Sequence, residues 1–447
     1  MQAAIHTLGC KVNQYETAAL EGLLRERGHQ LVPFEGVADA YIINTCTVTA
    51  VSDKKSRQAI RQAQKRSPHA VVAVCGCYAQ TSPEAVAELG VDLVAGSADR
   101  VKFVSDLEDL VGKRMPHQEA GCDGGGTAAP PVLTVDDIMT HRIFEPLTAD
   151  GLEGRTRAYL KIEDGCVNFC SYCIIPYARG PVRSLALADA VAQAERLASE
   201  GYKELVLTGI EISSWGSDFR DGTVLADLIE AVCAAAPGLR VRLGSLEPRT
   251  VTAEFCQRVS RHPNLCPHFH LSMQSGCDTV LKRMNRKYDT ARYYESVKLL
   301  REYFGDPGIT TDLIVGFPGE TEEEFEATLA FLEKCVFSAM HIFPYSRRTG
   351  TPAAKFSDQV LNAVKEERAR RAAALASKLE EAYLDRWVGQ TIPVLFEDEK
   401  EGLWRGHTPN YIEVRALGAD LHNQIYSVQM ESAHGTYLTG RISEEES

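Results

Sequence analysis

The segment GCVNFCSYCIIPYARG sets Cys166, Cys170 and Cys173 in a C-x3-C-x2-C pattern. Three thiolates this close in one loop can converge on one metal centre, and composition alone would produce such a triplet only ~0.01 times in a chain this long. Structural zinc usually takes four protein ligands, and the loop holds no fourth Cys or His. A zinc loop completed by a distant ligand is the competing reading. A [4Fe–4S] cube held by three cysteines instead leaves one iron open to an exchangeable ligand.

A second set is scattered. Cys10 in TLGCKVNQYE, Cys46 in YIINTCTVT and Cys77 in VAVCGCYAQ each follow a short apolar segment that reads as a strand. In a parallel sheet the strand C-termini share one edge, so three such thiols can meet across it. Three buried structural cysteines are the alternative. Cys75 shares a face with Cys77 if its strand continues; Cys77 is preferred because it lies beyond the apolar run, where a loop begins. Cys122, Cys233, Cys256, Cys266, Cys277 and Cys335 have no partner at ligand spacing and read as ordinary thiols, with Cys277 set apart by following a strand end.

These groups need a scaffold, and the chain is long enough to supply several. It has 447 residues, 44% hydrophobic and 24% charged, a balance that excludes a disordered or collagen-like protein and predicts more than one domain. No apolar run is long enough to span a bilayer, and the N-terminus lacks the pattern of a signal peptide. A cytosolic protein is expected, and thirteen cysteines are then metal ligands, catalytic groups or core residues rather than a disulfide framework.

Residues 1–112 alternate strands (Ala3–Thr7, Ala40–Asn44, Val71–Val74, Asp92–Ala95) with helices (Asn13–Arg27, Val51–Arg66, Pro83–Glu88), predicting a parallel α/β domain. Residues 113–155, which include GCDGGGTAAPP, read as a linker with an extended piece around Val132–Phe144. Residues 156–385 offer six strands: Tyr159–Glu163, Glu204–Thr208, Arg240–Ser245, His268–Ser272, Thr310–Val315 and Ala339–Phe343. Six βα units predict a partial (βα)6 barrel rather than a closed eight-fold one, with the Cys166 loop after its first strand, where such folds place active sites. A long charged helix, about Ser357–Leu384, closes this part; its stretch Arg368–Leu379 is expected to present a solvated charged face. Residues 386–447 alternate apolar and polar residues between Gly and Asn turns, the pattern of a small antiparallel β-barrel.

The Cys166–Cys173 motif resembles that of the radical S-adenosylmethionine (SAM) enzymes. The resemblance implies that the open iron chelates SAM, whose one-electron cleavage yields a 5′-deoxyadenosyl radical. It also gives Cys166, Cys170 and Cys173 the catalytic role and places Tyr172 beside the SAM adenine. Together with the Cys10, Cys46 and Cys77 phrases it looks like the methylthiotransferase family over nearly the whole chain: an N-terminal cysteine domain, a radical SAM domain and a TRAM-like barrel. What this implies is a second [4Fe–4S] cluster on Cys10, Cys46 and Cys77 that carries the sulfur to be inserted, two SAM molecules per turnover, a sulfur donor and an external electron donor. LGCKVNQYE, INTCTVT, HLSMQSGCDTVLKRMNRKY and TDLIVGFPGE look like the MtaB-type branch, whose members methylthiolate C2 of N6-threonylcarbamoyladenosine beside the tRNA anticodon. Sibling branches act on isopentenyl-adenosine in tRNA or on an aspartate of a small-subunit ribosomal protein.

In radical SAM enzymes the region matching Thr208–Glu211 packs near the SAM amino group, with Gly209 permitting close approach and Glu211 hydrogen-bonding. Ser272 and Gln274 at the end of the fourth strand, and Asp312 in the fifth, are expected to line the SAM or substrate pocket. GFPGE at 316–320 reads as a turn before a helix, because no Lys follows as in a P-loop.

The net charge of −13 and pI of 5.5 exclude a uniformly basic nucleic-acid coat but not a local basic patch. From Lys54 to Pro83 there is no acid, while Lys54, Lys55, Arg57, Arg61, Lys65 and Arg66 are present; Lys282, Arg283, Arg286 and Lys287 form a second cluster. Arg179, Arg183, Arg347 and Arg348 add to the expected tRNA face. The last domain opposes this, with five Lys/Arg against ten Asp/Glu from Arg386 to Ser447, three of the acids in the tail EEES.

Overall fold

The structure, a computed structural model, describes residues 1–119, 130–148 and 156–443. Most of GCDGGGTAAPP, with Cys122, and the acids of the EEES tail lie outside the described residues.

The first domain holds β1 (Gln2–Thr7), α1 (Lys11–Glu26), β2 (Gln30–Leu31), β3 (Ala40–Thr45), α2 (Ala50–Arg66), β4 (Val71–Gly76), α3 (Cys77–Thr81), α4 (Pro83–Ala87), β5 (Leu93–Ala95), α5 (Arg100–Glu119) and β6 (Val132–Thr134). All its strand pairs are parallel, in the order β2-β1-β3-β4-β5-β6. AYIINT and VVAVCG are buried at every position, as strands covered on both faces must be. One apolar cluster joins Tyr41, Ile43, Val72 and Val74 to α2, and the other joins Ile42, Ala73 and Cys75 to α1 and α5. The segment 132–134 pairs with β5 at the sheet edge. Its exposed Val132 and Leu133 give little burial pattern, so the sequence marks it only as extended.

The second domain runs β7 (Arg157–Lys161), β8 (Glu163–Asp164), α6 (Ile175–Arg179), β9 (Arg183–Ser184), α7 (Leu187–Ser199), β10 (Glu204–Thr208), α8 (Leu225–Ala235), β11 (Arg240–Leu243), β12 (Ser245–Leu246), α9 (Ala253–Val259), β13 (His268–Leu271), α10 (Asp278–Arg283), α11 (Thr290–Phe304), β14 (Gly308–Val315), α12 (Glu322–Cys335), β15 (Ala339–Pro344) and α13 (Asn362–Asp385). Seven strands follow chain order in two parallel sheets, β7-β10-β11 and β12-β13-β14-β15; the expected strand Arg240–Ser245 is divided at Gly244 into β11 and β12, where the chain steps from one sheet to the other. Among the described residues no strand pairs β15 with β7, so the barrel stays open. GFPGE makes the turn before α12, whose Thr321 and Glu324 form a reciprocal capping box. Arg368 departs from the expected solvated face of α13: it is buried, with Nη1 donating to Glu320 Oε2 at 2.8 Å and its guanidinium over Phe325.

The third domain is a closed five-stranded barrel of β16 (Thr391–Lys400), β17 (Leu403–His407), β18 (Glu413–Ala416), β19 (Ile425–His434) and β20 (Tyr437–Ile442), in the order β16-β17-β18-β20-β19. Its pairs are antiparallel except β18–β20, which is parallel; the long β19–β20 hairpin closes the barrel this way. It docks on the N-terminal ends of the second domain's strands, opposite the Cys166 loop. Arg157 Nη2 donates to Glu397 Oε1 at 2.7 Å, and Arg242 Nη1 to the carbonyl of Pro409 at 2.8 Å. Tyr411 stacks between His268 and His407. Part of the barrel's acidity is thus matched by arginines of its own chain.

The first domain spans the open mouth. On the β7 side Lys161 Nζ donates to Glu16 Oε1 at 2.9 Å; beyond β15, Arg348 Nη1 donates to Asp53 Oδ2 at 2.7 Å.

Candidate functional site

Strand order brings Cys10, Cys46 and Cys77 to one edge. β1, β3 and β4 are neighbours, and Thr45 registers against Gly76, so Cys46 and Cys77 leave adjacent strands at the same level. Gly76 has φ +93°, and a Cβ there would lie 2.6 Å from Asn44 Oδ1 and from the Thr45 carbonyl. The turn that aims Cys77 along the edge therefore requires glycine. Gly9, at φ +113°, lies so close to Cys46 that a Cβ would come within 2.8 Å of its Cβ. Asn13 Nδ2 donates to Leu8 O at 2.7 Å and Thr45 O at 2.9 Å, tying the Cys10 and Cys46 loops together. Cys75 packs instead in the cluster beneath α1 and α5.

The sulfurs have donors aimed at them. Burial pushes the Cys46 thiol up, opposed by the Val48 backbone N–H, and pushes Cys77 up to about 12, opposed by the Arg179 charge. Arg179 Nε donates to Cys77 Sγ at 3.1 Å. The Cys166 loop repeats the arrangement. Burial raises Cys166 and Cys173 to about 12, and the backbone N–H groups of Asn168 and Ile175 oppose it. Arg286 Nη1 donates to Cys170 Sγ at 3.3 Å. Buried thiols with N–H and guanidinium donors on sulfur become stable thiolates once a metal shares their charge. This donor set fits three-thiolate iron–sulfur centres in both places. Among the described residues no three Cys, His, Asp or Glu side chains close on one ion-sized point.

Next to Cys166 lies an acidic recess. The backbone N–H of Glu211 donates to Glu163 Oε2 at 2.7 Å. A Cβ on Gly209 would come within 2.9 Å of Glu163 O and Oε2, so only glycine allows this approach. Burial raises Glu163 well above the carboxylate range, and raises Glu211 to about 7 against the opposing Ser214 and Ser213 donors. Among the described residues Glu163 Oε1 is buried without a partner. Two carboxyls strained this way suit an added cation, such as the amino group of SAM.

A cavity of about 230 Å³ lies between the two sets of loops. Val48 and Thr49 border it from the first domain, and Tyr172 and Cys173 from the Cys166 loop. Gln274, Asp312, Phe343 and Tyr345 border it from the strand ends. Gln274 adopts φ +67° and bridges β14 through its own backbone, its N–H to Asp312 O and its carbonyl to Ile314 N, both at 2.9 Å. Ser272 is not on this wall; its carbonyl accepts from Arg286 Nη2 at 3.1 Å.

Several arginines expected on an RNA face are engaged inside the fold. Arg179 and Arg183 are buried, the latter 3.2 Å from Asp164. Arg348 is held by Asp53 and Thr47, Arg283 by Glu324 at 2.6 Å, and Arg286 by Cys170, Ser272 and Tyr288. Lys54, Lys55, Arg61, Lys65, Lys282, Lys287 and Arg347 remain exposed, and Arg57 is half-buried against Tyr78.

Sequence reasoning missed the buried charge network that joins the domains. Glu16 accepts from Arg100 Nη2 at 2.9 Å, from Lys161 Nζ at 2.9 Å and from both Nη atoms of Arg179. Lys161 also donates to Asp164 Oδ2 at 2.7 Å. The signal available was Glu16 on the apolar helix α1, three residues from Asn13 and six from Cys10, a buried acid that needs a cation.

Known proteins agree with this architecture. Residues 160–332 match the radical SAM superfamily profile, and residues 2–96 match that of the uncharacterized protein family UPF0004. A threonylcarbamoyladenosine tRNA methylthiotransferase MtaB of Bacillus subtilis (strain 168) is 41% identical over 98% of this chain and 96% of its own. One from Aquifex aeolicus is 37% identical over 94% and 97%. The tRNA-2-methylthio-N(6)-dimethylallyladenosine synthase of Acetivibrio thermocellus is 34% identical over 98% and 90%. Among solved structures, the radical SAM methyltransferase TsrM of Kitasatospora setae superposes with a TM-score of 0.55 at 18% identity, over 79% of this chain and 76% of that one. With relatives this similar over nearly their whole length, the chain belongs to the radical SAM methylthiotransferase family.

Proposed function

We propose that the protein methylthiolates C2 of N6-threonylcarbamoyladenosine in tRNA. The observation that carries this reading is the cavity bordered by both cysteine loops, in a chain alike end to end to relatives named for that reaction. Cys166, Cys170 and Cys173 hold one [4Fe–4S] cluster and Cys10, Cys46 and Cys77 the other. When bound, the clusters and SAM supply one-electron cleavage, hydrogen abstraction and the methylthio group, a route that an unactivated aromatic C–H requires.

The chain's own residues bind, orient and shield. Glu163 and Glu211 receive the SAM amino group, and Gly209 leaves room for it. Tyr172 flanks the adenine. Gln274 and Asp312 offer polar groups to the modified base, while Ile174, Ile314 and Phe343 exclude water around it. Arg348, through Asp53 and Thr47, holds the first domain over the opening. Lys54, Lys55, Arg57 and Arg61 on α2, with Lys282 and Lys287, contact the tRNA backbone. A sulfur donor and an external electron donor complete the turnover.

Expression in cells that make threonylcarbamoyladenosine but lack its methylthiotransferase, followed by mass spectrometry of digested tRNA, tests the reading. The 2-methylthio derivative is expected. Its absence with both clusters loaded, or methylthiolation of isopentenyl-adenosine instead, would refute the assignment.

A further inference from the structure

Arg179 belongs to the second domain, six residues after Cys173, yet its side chain serves the first. Its Nε donates to Cys77 Sγ at 3.1 Å and its Nη2 to Asn13 Oδ1 at 2.7 Å, and both Nη atoms meet Glu16. Asn13 in turn holds the backbone beside Cys10 and Cys46. One guanidinium is thus linked to all three cysteine loops of the opposite domain.

The surrounding charge is unbalanced. Arg100, Arg179, Lys161 and Arg183 are all buried, against two buried carboxylates, Glu16 and Asp164, and the half-buried Glu145, which accepts from the Arg100 backbone N–H at 2.6 Å. Buried excess cation is costly unless an anion compensates it. A [4Fe–4S] centre on three thiolates carries net negative charge that grows on reduction. Arg100 spends Nη2 on Glu16, while its Nε and Nη1 have no partner among the described residues. Domain packing alone would be met by the Glu16 and Asp164 pairs. The bond to Cys77 goes beyond that need.

We propose that Arg179 is the residue by which the radical SAM domain positions and tunes the Cys10–Cys46–Cys77 centre. Its N–H and its charge stabilise negative charge on the Cys77 sulfur and so favour the reduced form of that centre. The proposal rests on the reading that this triad holds a cluster.

The full chain carrying Cys166→Ala, Cys170→Ala and Cys173→Ala, reconstituted anaerobically with iron and sulfide, isolates the centre. Iron analysis first establishes about four irons per chain. Arg179→Met and Arg179→Lys are then added in this background. The reduced fraction is read by electron paramagnetic resonance during mediated dithionite titration. Arg179→Met is expected to lower the reduced-to-oxidised ratio at a fixed potential about tenfold, equal to about 59 mV for a one-electron couple. Arg179→Lys, which keeps the charge, is expected to recover part of it. An unchanged ratio in Arg179→Met with iron intact overturns the proposal. Loss of iron from both variants also overturns it, because Arg179 would then be a scaffold residue only. A parent chain that binds no iron refutes the prior reading of the triad instead.

Discussion

Glu16→Ala is the sharpest test of how the domains are joined. Glu16 is 1% exposed and is met by Arg100, Lys161 and Arg179. Removing it takes away Arg100's ion pair and leaves Lys161 and Arg179 to share Asp164 with Arg183. Breaking a buried ion pair from one side costs about 3–5 kcal/mol, which corresponds to a roughly 150- to 5,000-fold larger open population of the structure that depends on it. Amide hydrogen exchange of α1 in the full chain reads this directly, with the barrel amides of β16–β20 as an internal control. Burial alone would raise the Glu16 carboxyl, but Arg100, Arg179 and Lys161 outweigh it and hold it well below the ordinary range. A depressed carboxyl contributes stability that is complete above its unfolded pKa of about 4.3 and is lost as pH falls through the folded value. The gap between wild type and variant should therefore be constant from about pH 8 to pH 5 and shrink only in acid. An α1 exchange rate within about threefold of wild type, or a gap that widens on acidification, would refute the reasoning.

Three further outcomes are expected. Cys75→Ala keeps about eight irons per chain, whereas Cys77→Ala or the Cys166/Cys170/Cys173 alanine variant loses about four, the latter with all reductive SAM cleavage; iron analysis and deoxyadenosine assay decide. Gly209→Ala forces a Cβ against Glu163 and weakens SAM binding by about 1–3 kcal/mol, or roughly 5- to 150-fold by equilibrium dialysis. Unaltered affinity would show that the recess is not the SAM site. Lys54→Glu, Lys55→Glu and Arg61→Glu together should weaken tRNA binding and reduce its salt dependence by about two to three phosphate contacts, with iron content intact.

Much of this was legible in local sequence. AYIINT and VVAVCG carry the unbroken apolar pattern of doubly covered strands, and the loops beyond them had to share an edge. That allowed Cys10, Cys46 and Cys77 to meet there, while the strand order that sets Cys46 beside Cys77 belongs to the fold. The six strands of the second domain were equally plain, because each βα unit repeats the same period. What stayed hidden depends on partners far apart in the chain. Arg179, Arg283, Arg286 and Arg348 read as free positive charge, yet each is held by a group on another element, and only the folded chain shows which. Glu163 reads as the end of a strand, and its closeness to Gly209 comes from the pairing of β7 with β10. Val132–Thr134 has too few apolar contacts to announce itself as a strand, and the parallel β18–β20 pair follows from closing the barrel rather than from any local signal.

The proposed reaction singles out one modified adenosine, N6-threonylcarbamoyladenosine, over its isopentenyl counterpart. Purified protein, reconstituted anaerobically with both clusters, can be offered an equimolar mixture of two anticodon stem-loops, one bearing N6-threonylcarbamoyladenosine and one isopentenyl-adenosine, with SAM, sulfide and a reductant. Mass spectrometry of the nucleosides should show the 2-methylthio group on threonylcarbamoyladenosine. Its appearance on isopentenyl-adenosine, or on neither while SAM is cleaved, would contradict the account.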